Sequence, residues 1–153
     1  MIVRWLFAAV HLLALGIGLG AVWARARALQ DRLDQPGLRR VFEADNWWGI
    51  AALLWVATGL ARAFGGLEKG RLYYLHNHLF WTKMILLGLV LLLEIAPMTT
   101  LIHWRILLGR GAAPDTRGAG RLAGTSFAQA GLVALMVLVA TAMARGYGPP
   151  RVP

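Results

Sequence analysis

The sequence predicts an all-α protein, an integral membrane four-helix bundle that forms a single domain over residues 1–153. Of its 153 residues, 58% are hydrophobic and 15% are charged, whereas an ordinary soluble domain carries about 25% charged residues. The apolar residues are concentrated in four long stretches. Because an unpaired backbone cannot cross lipid, each stretch is expected to be a helix.

The first apolar stretch predicts a span over about 4–24. It carries no charge from Trp5 to Ala24, and roughly 20 apolar residues are what a helix needs to cross a bilayer. A basic residue before the stretch and an Ala-Arg-Ala motif after it are also found in secretory signal peptides. We favour a span, because the apolar part of a signal peptide has only about 7–15 residues.

Three further stretches predict spans over about 47–64, 79–102 and 124–144. The second stretch is the shortest, and it reaches spanning length only if Arg62 extends its charged end toward the interface. The third stretch contains two ionisable residues, Lys83 and Glu94. Aromatic residues near the span ends are expected to form interfacial belts. These residues are Trp47, Trp48, Tyr73, Tyr74, Trp81 and Trp104.

The distribution of basic residues predicts the orientation and the partners. The first and third connections hold nine arginines, against six Lys or Arg on the opposite side. Since cytoplasmic loops carry the excess, both termini are expected outside the cytoplasm of a bacterial inner membrane. The net charge of +9 is divided among short loops, which favours contact with lipid headgroups and excludes nucleic acid. A homo-oligomer or a membrane complex partner is compatible with this pattern.

Two ionisable residues inside the spans indicate a functional pocket. Such residues are rare within membranes and commonly mark sites. His11 in the first span and Lys83 in the third would lie roughly 6–10 Å below the same membrane surface. His76 precedes Lys83 by seven residues, so on a continuous helix the two would share a face. The sequence contains no cysteine, which excludes thiolate ligands and disulfides.

These residues suggest a haem b site. An imidazole inside a bundle is a ready axial ligand for haem iron, so His11 is the predicted metal ligand. Gly18, on the same helix face, would let the macrocycle approach, and His76 lies at the mouth of the site. Lys83 is the predicted catalytic residue, since it could bind a substrate carboxylate or transfer protons. The cations expected to hold the haem propionates are Arg4, Arg62, Arg71 and Lys83.

Each candidate also has a purely structural interpretation. His11 could be hydrogen-bonded to a neighbouring helix, and Gly18 could allow close helix packing. Lys83 is near enough to the interface to extend its ammonium group into it. Glu94 and Pro97 could end or kink the third helix.

Several segments carry a resemblance to known families. The segments HLLALGIGLGAVWARARAL, ADNWWG, GGLEKGRLYYLHNHLFWTKM and ATAMARG resemble an uncharacterised bacterial family of small predicted membrane proteins, over nearly the whole chain. More distantly, His11 and Lys83 are similar in place to a histidine and a lysine of the four-helix membrane protoporphyrinogen oxidases, whose architecture is related to the copper-resistance D proteins. The aromatic-rich run and the later histidines of the oxidases are not clearly present, so the resemblance implies architecture more than reaction.

Three functions are therefore considered. The first is a haem-b-binding redox protein, which the resemblance extends to a porphyrinogen-oxidising or haem-dependent membrane oxidoreductase. The second is a non-enzymatic membrane subunit of a larger complex. The third is a small metal or solute transport protein that uses His11, Met136 and Met143, which would need an oligomer because four spans are few for a transporter.

Overall fold

The structure, a computed structural model, describes residues 2–65 and 75–148. It contains four long helices, α1 (Ile2–Gln30), α2 (Gln35–Phe64), α3 (His78–Gly109) and α4 (Ala119–Ala144). No strand occurs in the described ranges. All four helices are long and apolar enough to cross a membrane. The predicted fold class, an all-α membrane bundle, is confirmed.

The helices are longer than the predicted spans. The 32 residues of α3 extend about 48 Å, whereas the hydrocarbon core of a bilayer is about 30 Å thick. Helix α2 begins at Gln35, well before the predicted start, because Asp34 caps it and its Oδ1 accepts from the Gly37 N–H at 2.9 Å. Hydropathy detects only the apolar part of a helix, so it misses polar turns of this kind.

Helix α3 does not end at Glu94 or Pro97, as the sequence had suggested it could. It continues to Gly109, with Pro97 buried inside it. Proline is tolerated in membrane helices because the surrounding helices and side chains satisfy the backbone groups that it frees.

The bundle divides into two halves that differ in packing. We call the part next to the connections 31–34 and 110–118 the loop half, and the part that holds the start of α1 and the end of α4 the terminal half. Helix α1 packs against α2 and α4, and α3 packs against α4. The buried residues of α1 begin only at Ala14, and those of α4 end at Met136. The two helices are therefore fully packed in the loop half alone.

A buried asparagine connects α3 to the residues that follow α4. The Asn77 Oδ1 accepts from the Leu79 N–H at 2.9 Å and caps α3. Its Nδ2 donates to the Tyr147 carbonyl at 3.3 Å, and the His78 N–H donates to the Gly148 carbonyl at 3.3 Å. These bonds hold the end of α4 beside the start of α3.

Candidate functional site

A cavity of about 490 Å³ lies in the terminal half, and all four helices line it. Its volume falls within the roughly 300–1,000 Å³ range of ligand pockets. His11 of α1, Arg62 of α2 and Lys83 of α3 face it, together with Met136 and Met143 of α4. The predicted pocket of a histidine and a lysine is therefore present, with the arginine beside them.

His11 is held in place by a hydrogen bond to α2. Its Nδ1 lies 3.0 Å from the Thr58 Oγ1. The Thr58 hydroxyl has one hydrogen, which it donates to the Leu54 carbonyl at 2.6 Å. We therefore assign the Nδ1–H of His11 as the donor to Thr58. In this neutral tautomer Nε2 keeps its lone pair and can bind a ligand.

Two residues of α2 pack against the His11 ring. The ring centroids of His11 and Trp55 are 6.1 Å apart. Gly59 lies so close that a Cβ added there would stand 3.0 Å from the His11 Cε1. Such a distance is tighter than ordinary contact, so the glycine leaves room for the ring.

The cavity combines apolar walls with positive charge. Arg62 and Lys83 are both half-buried, and no Asp or Glu occurs among the described residues that line it. The rest of the wall is mostly aliphatic, aromatic or methionine side chains, such as Leu15, Phe80 and Met84. An apolar molecule that carries an anionic group would match both properties.

Other predicted site residues lie elsewhere. Gly18 faces α2, where an added Cβ would stand 3.4 Å from the Ala51 Cβ, and it is not among the residues that line the cavity. His76 is exposed in the turn before α3. Since α3 begins at His78, the expectation that His76 shares a helix face with Lys83 is wrong. Arg4 is exposed.

Several predicted aromatic-belt residues are not on the surface. Trp48 and Trp104 are buried inside the bundle, whereas Trp47 and Trp81 are exposed. The belt prediction is therefore wrong for the two buried tryptophans, which lie on the inward faces of α2 and α3. Three predicted residues, Tyr73, Tyr74 and the propionate-binding candidate Arg71, lie outside the described residues.

The loop half contains a second polar site that sequence reasoning missed. Arg25 of α1 is fully buried, and all five of its N–H groups donate to side chains of the other three helices. Its acceptors are Asp45 Oδ1 at 2.8 Å, Glu94 Oε1 at 2.8 Å and Oε2 at 2.9 Å, Gln129 Oε1 at 2.8 Å and Ser126 Oγ at 3.1 Å. A guanidinium has five donors, so none is left over.

The carboxylates that bind Arg25 have further partners. Glu94 also accepts from the Trp48 Nε1 at 2.9 Å and from the Gln129 Nε2 at 2.7 Å. Asp45 also accepts from the Arg105 Nη2 at 2.8 Å. We call these residues the Arg25 cluster: Arg25, Asp45, Trp48, Glu94, Arg105, Ser126 and Gln129. Two cations face two carboxylates, so the cluster is neutral as a whole.

The bonding pattern makes the Arg25 cluster a structural clamp. Glu94 accepts four hydrogen bonds, from Arg25, Trp48 and Gln129, so donors on the three other helices hold its carboxylate in place. The sequence signal was the seven-residue spacing of His11, Gly18 and Arg25 on one face of α1. Hydropathy alone does not reveal this site, because Arg25 directly follows the apolar run of its span and resembles a loop arginine, and Glu94 near Pro97 is equally compatible with a helix end.

The fold and the two polar sites define a multi-pass membrane protein, a four-helix bundle with one cavity-bearing half and one clamped half. The chain belongs to the family described as predicted membrane protein (DUF2214), which its residues 3–148 match. No curated protein and no solved structure matches the chain.

Proposed function

We propose that this chain binds haem b, or a related porphyrin, in the terminal-half cavity and has a redox role in the membrane. The observation that carries the proposal is His11, which faces the cavity with its Nδ1 fixed on Thr58 at 3.0 Å. Histidines that ligate metals commonly donate their other ring N–H to a partner, which fixes the tautomer and the ring orientation.

The chemistry of the walls fits a haem. Its macrocycle needs apolar contact, and its propionates need cations, here Lys83 and Arg62. The described residues contain no cluster of three or more His, Cys, Asp or Glu that could hold a metal ion by side chains alone. A haem brings four nitrogen ligands of its own, so one histidine is sufficient for attachment. A methionine is an accepted second axial ligand, and Met84, Met136 and Met143 line the cavity.

A bound haem would supply one-electron redox chemistry. The chain's own residues would hold and orient it: His11 as the axial ligand, and Arg62 and Lys83 as carboxylate-binding groups. A catalytic role for Lys83 in porphyrinogen oxidation is the finer form of the same proposal.

The absorption spectrum of the purified protein tests the proposal. Detergent-purified protein is mixed with haemin, and its spectrum is recorded before and after reduction with dithionite. The wild-type chain is expected to show a shifted Soret band and sharp reduced bands, whereas His11→Ala loses them. His103→Ala is the matched control, because His103 is an exposed histidine of α3 that does not line the cavity. A wild-type protein that leaves the haemin spectrum unchanged would overturn the proposal.

Gly59→Ala provides a second variant that does not remove the ligand. The added methyl group would stand 3.0 Å from the His11 Cε1, so the imidazole must move by a few tenths of an ångström. We expect haem to remain bound with a shifted reduced spectrum or a changed reduction potential. Gly49→Ala is the control, since no atom lies within 4 Å of its added methyl group. If both variants match the wild type, His11 does not ligate the iron.

A further inference from the structure

In the terminal half the first turns of α1 are held by α2. Its contacts there are the His11–Thr58 hydrogen bond at 3.0 Å and the close approach of Gly59 to the His11 ring. No residue of α1 before Ala14 is buried among those described. The first three turns of α1 are therefore attached to the bundle through α2.

The end of α4 packs against the start of α3. Met143 packs against Phe80 and Ala63. The hydrogen bonds of Asn77 and His78 to residues 147–148 continue this contact past the end of the helix. At the same level the rings of Phe64 of α2 and Phe80 of α3 lie edge to face, with centroids 6.2 Å apart.

These attachments join the start of α1 to α2 and the end of α4 to α3. We call the space between α1 and α4 at this level the gap. In the loop half the helices touch, with the rings of Trp23 and Phe127 edge to face at 4.9 Å. Leu12 lies eleven residues before Trp23, and such residues point within about 20° of each other on a helix. Yet Leu12 is 62% exposed while it lines the cavity. On α4, Thr141 and Ala144 also line the cavity and are exposed.

We infer that the cavity opens sideways between α1 and α4 into the hydrocarbon region, and that its occupant enters from the lipid phase. The occupant would be a lipid-soluble molecule with an anionic group, since the entrance is apolar and the interior presents Arg62 and Lys83. This inference rests on the proposed function in one respect: the cavity must bind a ligand, which need not be haem. The Arg25 cluster keeps α1 and α4 together below the gap.

Association kinetics test the entrance. Protein in liposomes is mixed with haemin-loaded liposomes, and the rate of the Soret shift is measured. Leu12→Trp places a bulky ring in the gap and is expected to slow association at least tenfold. The matched control is Leu13→Trp, because Leu13 is 65% exposed beside it and does not line the cavity; it should bind at the wild-type rate.

A third variant tests the opposite side of the cavity. Leu60 of α2 lines the cavity and is 46% exposed. Leu60→Trp should slow association much less than Leu12→Trp does. If Leu60→Trp slows association and Leu12→Trp does not, the entrance lies beside α2 and the inference is wrong.

A measurement without any ligand separates this inference from the haem proposal. The chain has no cysteine, so Ala140→Cys, at a half-buried cavity position of α4, can carry a single nitroxide label. In liposomes the label should collide more with oxygen, which dissolves in lipid, than with a water-soluble nickel chelate. Leu12→Trp should lower the oxygen collision rate and Leu13→Trp should not.

The outcomes are distinct. If haemin does not bind the wild type but the oxygen result holds, the entrance stands and the haem proposal fails. If the nickel chelate reaches the label better than oxygen does, the cavity opens to water and the inference is overturned. If neither reagent reaches the label, the cavity is closed and the inference is equally overturned.

Discussion

The side chain of Arg25 connects the four helices in the interior of the loop half. A buried ion is expensive unless its partners satisfy it completely, and here all five donors of Arg25 are used. Asp45 has a second cation, Arg105, at 2.8 Å. Among the described residues, the other hydrogen-bond partners of Glu94 are Trp48 and Gln129, and neither carries a charge. Loss of Arg25 would therefore affect Glu94 most.

Arg25→Met is expected to destabilise the protein by about 3–5 kcal/mol, because it leaves the half-buried carboxylate of Glu94 without a counter-ion. The free energy of unfolding can be measured by circular dichroism during titration with SDS in mixed micelles. Arg27→Met, at an exposed arginine of the same helix, is the control and should change stability by less than about 0.5 kcal/mol.

The double variant Arg25→Met with Glu94→Met tests the reason for that loss. Removal of both charges leaves Asp45 still paired with Arg105, so at least half of the lost stability should return. If the double variant is as unstable as Arg25→Met alone, packing and not charge explains the effect.

At the scale of single residues, the sequence predicted the polar residues of the cavity but not the Arg25 cluster. His11, Lys83 and Arg62 could be brought together because they are isolated in apolar spans at one membrane depth, and the structure places all three on one cavity. Arg25 could not be assigned in the same way. It lies at the end of an apolar run among other arginines, and only the three-dimensional positions of Glu94 and its neighbours show that it points inward.

Among the elements, the existence of the four helices was predictable and their ends were not. An apolar run of about 20 residues is a strong signal for a span. The added turns of α1 and α2, up to Gln30 and from Gln35, are polar outside and apolar toward α3 and α4, and a hydropathy window averages this pattern away. Buried Leu29, Leu38 and Val41 show the inward face of those turns.

Gly18 determines how closely α1 approaches α2. An added Cβ would stand 3.4–3.6 Å from Ala51 and Trp48, so alanine fits and a larger side chain does not. Gly18→Leu should cost about 1–3 kcal/mol through overpacking, measured by the same SDS titration. Gly16→Leu is the control, since no atom lies within 4 Å of its added Cβ. Equal stabilities of the two variants would mean that the helices are not in contact there.

The whole molecule combines a clamped half with an open half. The Arg25 cluster bonds all four helices to one another in the loop half, whereas the terminal half contains the cavity and the gap between α1 and α4. The Arg25 cluster would preserve the fold if α1 and α4 separated slightly in the terminal half. Ligand exchange would then need motion of α1 and α4 in the terminal half only.

The orientation of the molecule determines which side of the membrane the cavity lies nearest. Without the buried Arg25, eight arginines lie at or near the connections of the loop half, against six basic residues on the terminal side. We propose that the protein lies in a bacterial inner membrane with the loop half at the cytoplasmic surface, because Lys and Arg are retained there. The cavity, His11 and both termini would then face the opposite side.

Single cysteines test this orientation, since the chain has none of its own. Ala112 lies in the connection between α3 and α4, and Tyr147 follows α4; both residues are exposed. In intact spheroplasts a membrane-impermeant maleimide should label Tyr147→Cys, whereas Ala112→Cys should react only after lysis. The reverse pattern would place the termini in the cytoplasm. The cavity would then lie near the cytoplasmic surface, because Lys83, which lines it, is close to the end of α3 that lies in the terminal half.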